Sequence, residues 1–62
     1  MKFIDITEYG TNIKKTVATD KIKMLERIDY NSGDSATIIS FINETEIHVK
    51  ETVETIKQLM SL

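Results

Sequence analysis

The eight residues "SATIISFI", Ser35 to Ile42, put isoleucines on both parities of an extended segment, Ile38 and Ile42 on one side and Ile39 and Phe41 on the other. Successive side chains of a strand point to opposite faces, so this strand must be central in a sheet and covered on both sides. The rest of the chain has little to cover it with. It is 62 residues long, and a chain of that mass leaves about 4,100 Å² exposed of the roughly 10,300 Å² of its unfolded state, burying only about 60%. Domains this small usually carry a staple. Cysteine is absent, which removes disulfides and thiolate metal sites. A single histidine does not hold structural zinc in its usual way. Oligomerisation is the staple that remains, and a homo-oligomer is expected.

The flanking segments supply the other elements. Lys2 to Glu8 alternates, with Ile4 and Ile6 on one face and Phe3, Asp5 and Thr7 on the other, as a strand does. "EYGTN" (8–12) is a turn in which Gly10 is free to take positive φ. Ile13 to Thr19 is a weaker strand, and its Lys14 and Lys15 suit a sheet edge. "TDKIKMLERIDY" (19–30) is ambiguous. Ile22, Leu25 and Ile28 recur every third residue, and Thr19 or Asp20 could cap a helix. Ile22, Met24, Ile28 and Tyr30 share one strand parity, and that strand is the favoured reading. "NSGD" (31–34) suits a hairpin loop. A tight turn at Asn43-Glu44 leads into "EIHVK" (46–50), with Ile47 and Val49 inward and Glu46, His48 and Lys50 outward. From Thr52 the period changes. Val53, Ile56, Leu59 and Met60 share a helical face, Thr52 is a plausible N-cap, and the helix spans about 52–61. The expected architecture is therefore one α+β domain over residues 1–62, a small antiparallel sheet of four to five strands in 2–50 followed by one helix.

Charge and hydropathy narrow the function. The net charge of −2 gives no electrostatic reason to bind a nucleic acid polymer. No apolar run approaches the ~18 residues of a membrane span. "MKFIDITEYG" meets polar residues too soon for a signal-peptide core, and a cytoplasmic location is expected. Catalysis is not expected either, because a general base needs an orienting partner and a cleft. No cofactor is implied.

His48, the only histidine, reads first as an outward polar strand residue and second as a ligand contact at a self-association interface. The most basic stretch, Lys14 to Arg27, reads first as solvated edge and loop charge. In the functional alternative Arg27, Lys23, His48 and Lys50 line a site for an anionic ligand. Arg27 leads that set because its planar fork holds phosphate or carboxylate in two contacts. Tyr9, Tyr30, Phe3 and Phe41 could stack on a base, with Phe41 better placed in the core.

"TIISFIN" (37–43) and "IHVKETVETI" (47–56) resemble the FlbD family of small flagellar accessory proteins, which includes SwrD. The likeness extends over the last half of the chain by wording and over the first half by pattern. Members end in a strand, an Asn-Gly turn, a second strand and a helix rich in Lys, Glu, Ser or Thr, and Val; here Asn43-Glu44 replaces the Asn-Gly turn. The resemblance implies no enzymatic activity. It implies a non-enzymatic interaction protein, homo-oligomeric, docking a larger partner through its sheet. The competing expectation is a phage-encoded sequestering protein that buries an anionic, nucleotide-like signal molecule between subunits.

Overall fold

The computed structural model describes residues 2–62, which form five strands and one helix. Strands β1 (Phe3–Thr7) and β2 (Lys14–Ala18) pair antiparallel. After a single 3₁₀ turn at Thr19–Lys21, β3 (Ile22–Asp29), β4 (Ser35–Phe41) and β5 (Glu46–Val49) follow as an antiparallel meander, and α1 (Val53–Ser61) closes the chain. The expected order of elements stands, and the 19–30 segment is a strand, with helical geometry confined to the 3₁₀ turn. The single sheet expected is instead two, of two and three strands. They touch at one corner, where the Glu8–Val49 bridge lets Tyr9 N–H donate to His48 O (2.8 Å) and Lys50 N–H donate to Thr7 O (2.9 Å). Folding β1–β2 over the meander covers apolar surface that one flat five-stranded sheet would leave to a single short helix.

The ambiguity of the third segment has a structural cause. Ile22 lies opposite Phe41, whereas Met24 lies opposite Ser40 and Leu25 opposite Ile39, so one extra residue, Lys23, is accommodated in β3. Such a bulge shifts the alternation by one. Ile22 and Leu25 therefore both face inward although they are three apart, a spacing that imitates a helix. Met24, Ile28 and Tyr30 fall on the outward parity, and Ile22 does not belong with them.

Inside, Ile4, Ile6, Ile39, Val49 and Ile56 form the buried core, with Val17, Ile22, Leu25, Phe41, Ile47, Leu59 and Met60 packed around it. Pairing Ile4 with Val17 and Ile39 with Leu25 and Ile47 puts each group on one face, because directly opposed residues project to the same side. The helix is fastened at both ends. Thr52 Oγ1 accepts from Thr55 N–H (3.1 Å) as N-cap, and Lys2 Nζ donates to the Met60 and Leu62 carbonyls at the other end, a cation on the negative pole. Glu51 joins three elements: its carboxylate accepts from Thr7 N–H (2.8 Å), and its carbonyl accepts from the buried Thr37 hydroxyl (2.7 Å). The accessible surface is 4291 Å², close to the roughly 4,100 Å² that mass scaling gives for one folded chain of this size. A second copy is thus not needed to complete the inner core.

Two of the hairpin loops share one geometry. In the first, Gly33 N–H donates to Tyr30 O and Tyr30 N–H donates to Asp34 O; in the second, Glu44 N–H donates to Phe41 O and Phe41 N–H donates to Thr45 O. Gly33 has φ +92°, and Glu44 occupies the equivalent position at φ 73°. A left-handed conformation costs an L-residue about 1–2 kcal/mol that glycine avoids, less glycine's greater flexibility when unfolded. The Lys23–Glu44 ion pair at 3.3 Å is largely solvent-exposed and offsets little of this. Glu44→Gly is therefore expected to stabilise the fold by about 0.5–1 kcal/mol, read as a higher urea midpoint at unchanged slope.

Candidate functional site

The two faces of the three-stranded sheet differ. The inner one lies under β1–β2 and α1. Across the outer one run Met24–Ser40–Glu46, then Glu26–Ile38–His48, then Ile28–Ala36, with Tyr30 beyond. Among the described residues no helix or strand covers this face. Met24 is 48% and Ile42 56% exposed, while Ile28 and Ile38 are half-buried. The expectation that Ser35–Ile42 is apolar on both sides and central therefore stands, but the chain covers only one of the sides.

At one corner of this face the aromatic residues meet. Tyr9, from the β1–β2 loop, stacks on Tyr30 with ring centroids 4.9 Å apart and planes 14° apart. Tyr30 Oη lies 2.7 Å from His48 Nδ1. The register explains how Tyr30 reaches from β3 to β5: the residue diagonal to both on the intervening strand is Ala36, the smallest side chain that could stand there. Among the described residues this is the one hydrogen bond of the Tyr30 hydroxyl, and either atom can donate in it, the phenol to a bare Nδ1 or an Nδ1–H to the phenol oxygen. His48 is thus not a loose surface group but a ring held by a phenol through Nδ1, with Nε2 left over. The tyrosines, considered as platforms for a base, stack on each other instead.

Tyr9 Oη donates to Asp34 Oδ2 at 3.3 Å. Reduced hydration and then the Asp34 carboxylate, with Tyr30 adding a smaller push, raise the Tyr9 phenol above its ordinary value of 10.0. A raised phenol favours the folded state fully below the unfolded pKa, and that contribution is lost as pH rises through the folded one. In a Tyr30→Phe background, phenolate absorbance near 295 nm reports Tyr9 alone. Its midpoint is expected above 10 and should fall on adding Asp34→Asn; an unchanged midpoint would remove the Asp34 contact.

The four cations proposed for an anion site do not converge. Arg27 and Lys50 line one cleft of about 230 Å³ beside the start of α1, with Glu51 and Glu54 also in its wall. Arg27 pairs with Asp29 at 3.2 Å, both well exposed. His48 is on the opposite face of the sheet from Arg27, since their cross-strand partners Ile38 and Thr37 are adjacent in β4. Lys23 is at the bulge, at the other end of β3, paired with Glu44. Lys50 also borders a wider, open cleft of about 690 Å³ with Tyr9, Asn12, Gly33 and Asp34. Missed by sequence reasoning was the Tyr9–Tyr30–His48 cluster; its only sequence signal is Ala36 at even spacing from Tyr30 and Ile38.

Among the described residues no helix is long and apolar enough to cross a membrane, and no three of His, Cys, Asp and Glu gather as metal ligands. Compared with protein families, curated proteins and solved structures, the chain matches none of them.

Proposed function

We propose that this protein is a non-enzymatic interaction module that associates with a second copy of itself through the outer face of β3–β4–β5. The observation that carries the reading is that face: Met24, Ile28 and Ile38 are gathered on the three-stranded sheet with no helix or strand of the described residues laid over them, next to the Tyr9–Tyr30–His48 cluster. Apolar surface of this kind marks an interaction site more often than a solvated wall. The FlbD-like wording of residues 37–56 adds a larger protein as the partner that the assembled module serves, and a cytoplasmic setting agrees with its composition. The anionic-ligand reading has less behind it, because its cations are dispersed and the Arg27–Lys50 cleft also holds two carboxylates.

Ile38 tests the reading. Its inner neighbour Ile39 holds the core, so Ile38→Asp is expected to keep the native circular dichroism while abolishing the concentration-dependent increase in sedimentation coefficient that the reading predicts for the parent chain. Association that survives Ile38→Asp in a folded protein would move the contact off this face. The same purified sample separates the ligand reading: with Tyr9 and Tyr30 the only absorbers near 280 nm, a co-purified nucleotide would dominate at 260 nm.

A further inference from the structure

We infer that the second copy stacks face to face about a two-fold axis running along β4 through Ile38, so that Glu26 of each copy accepts a hydrogen bond from His48 Nε2–H of the other. This rests on the self-association reading and specifies its geometry. The central row of the outer face reads acid, aliphatic, imidazole: Glu26 on β3, Ile38 on β4, His48 on β5. A two-fold parallel to the strands exchanges β3 with β5 and leaves β4 opposite β4. It puts Ile38 against Ile38 and brings an exposed carboxylate to an imidazole at both ends of the row. The surface is complementary to itself, as an isologous contact requires.

The other in-plane two-fold, perpendicular to the strands, stacks Glu26 on Glu26 and His48 on His48, and directly opposed like charges are unfavourable. The hydrogen-bond pattern favours the first arrangement as well. Tyr30 occupies Nδ1, which leaves Nε2 as the ring nitrogen open to a second copy; with the phenol as donor to Nδ1, Nε2 carries the proton that Glu26 accepts. Glu26 is exposed and has no salt bridge or hydrogen-bond partner through its side chain among the described residues, so it is available as the acceptor. A carboxylate accepting from such a donor makes a charge-assisted bond.

The size of the face sets the strength. Three strands of 8, 7 and 4 residues, about 4.8 Å apart, give a footprint of at most roughly 14 by 23 Å. That is smaller than the ~800 Å² per partner of a stable complex. The dimer is accordingly transient, with dissociation constants of tens to hundreds of micromolar.

Charge exchange tests the pairing. Sedimentation equilibrium between about 10 μM and 1 mM is run on the full chain, on Glu26→Lys, on His48→Glu, on the double variant and on Ile38→Asp, each checked for native circular dichroism. His48→Glu sets two carboxylates opposite one another, and Glu26→Lys removes the acceptor and sets an ammonium against the imidazole donor, so each single exchange should weaken the dimer at least about tenfold. The double variant, which recreates the pair with its sense reversed, should return to within about threefold of the parent. Two single losses that simply add in the double variant would overturn the two-fold pairing, while sensitivity to Ile38→Asp kept the face itself as the contact. A parent chain that stays monomeric to 1 mM would overturn both the pairing and the self-association reading.

Discussion

Ile39→Ala is expected to cost about 2–5 kcal/mol of stability, whereas Ile38→Ala one residue away should cost about 1 kcal/mol or less. Ile39 is fully buried, 0% exposed, with Leu25 and Ile47 on either side of it in the sheet. Truncating a buried isoleucine to alanine removes its transfer free energy and leaves a cavity, together about 2–5 kcal/mol. The ladders that hold Leu25 and Ile47 on either side resist collapse into the gap. At about 0.05–0.15 kcal/mol per residue, a chain of 62 residues has a total stability of only about 3–9 kcal/mol. The loss is therefore a large fraction of the whole. Urea unfolding followed by far-ultraviolet circular dichroism should show a midpoint well below the parent's for Ile39→Ala and near the parent's for Ile38→Ala. Equal effects at the two positions would mean that both faces of β4 are equally buried in the isolated chain, contrary to the structure.

The same strand shows what could be read without coordinates. Its apolar residues on both parities place it in the middle of a sheet, and alternation with turn residues on either side places β1, β2, β4 and β5 to within a residue or two. The switch of period at Thr52 places α1. These are local patterns, and each is carried by consecutive side chains. Lys23 is different. Nothing about a lysine announces an extra residue in a ladder, so the bulge made Ile22 and Leu25 resemble a helix and misassigned the face of Ile22. The division into two sheets depends on the 3₁₀ turn and on the Glu8–Val49 corner, both set by packing over long sequence separations.

The candidate site was less legible than the fold for a related reason. Arg27, Lys23, His48 and Lys50 share charge type but not a face, and faces are assigned by register. Once Glu26, Ile38 and His48 are known to lie abreast, the outward histidine has a phenol on one nitrogen and, in the proposed dimer, a carboxylate for the other. Residues 26, 38 and 48 have no sequence relation that would suggest the row. Ala36 shows the same dependence: an alanine in a strand is unremarkable until Tyr30 has to pass over it. The Asn43-Glu44 turn was legible in kind, since glutamate where glycine is preferred predicts strain, and Glu44 does adopt φ 73°.

Ile56→Asp should abolish the native fold altogether, while Asp at Gln58, on the exposed side of the same helix, should change stability by no more than about 0.5 kcal/mol. Ile56 is the one helix residue that is fully buried, 0% exposed, and it enters the core beside Ile4, Ile6, Ile39 and Val49. A helix of nine residues does not persist in water by itself, because nucleation is costly and few hydrogen bonds repay it. Its stability comes from this contact, with the Thr52 cap and the Lys2 contacts at its ends adding smaller amounts. An aspartate there would bring an unpaired carboxylate among the four other buried aliphatic side chains, which costs several kcal/mol whether it stays charged or takes up a proton. Releasing the helix would also expose Ile39 and the Glu51 junction with Thr7 and Thr37, so helix and sheet signals should be lost together. Helical ellipticity lost while the sheet's amide exchange protection persists would show instead that the two sheets form a core independent of α1.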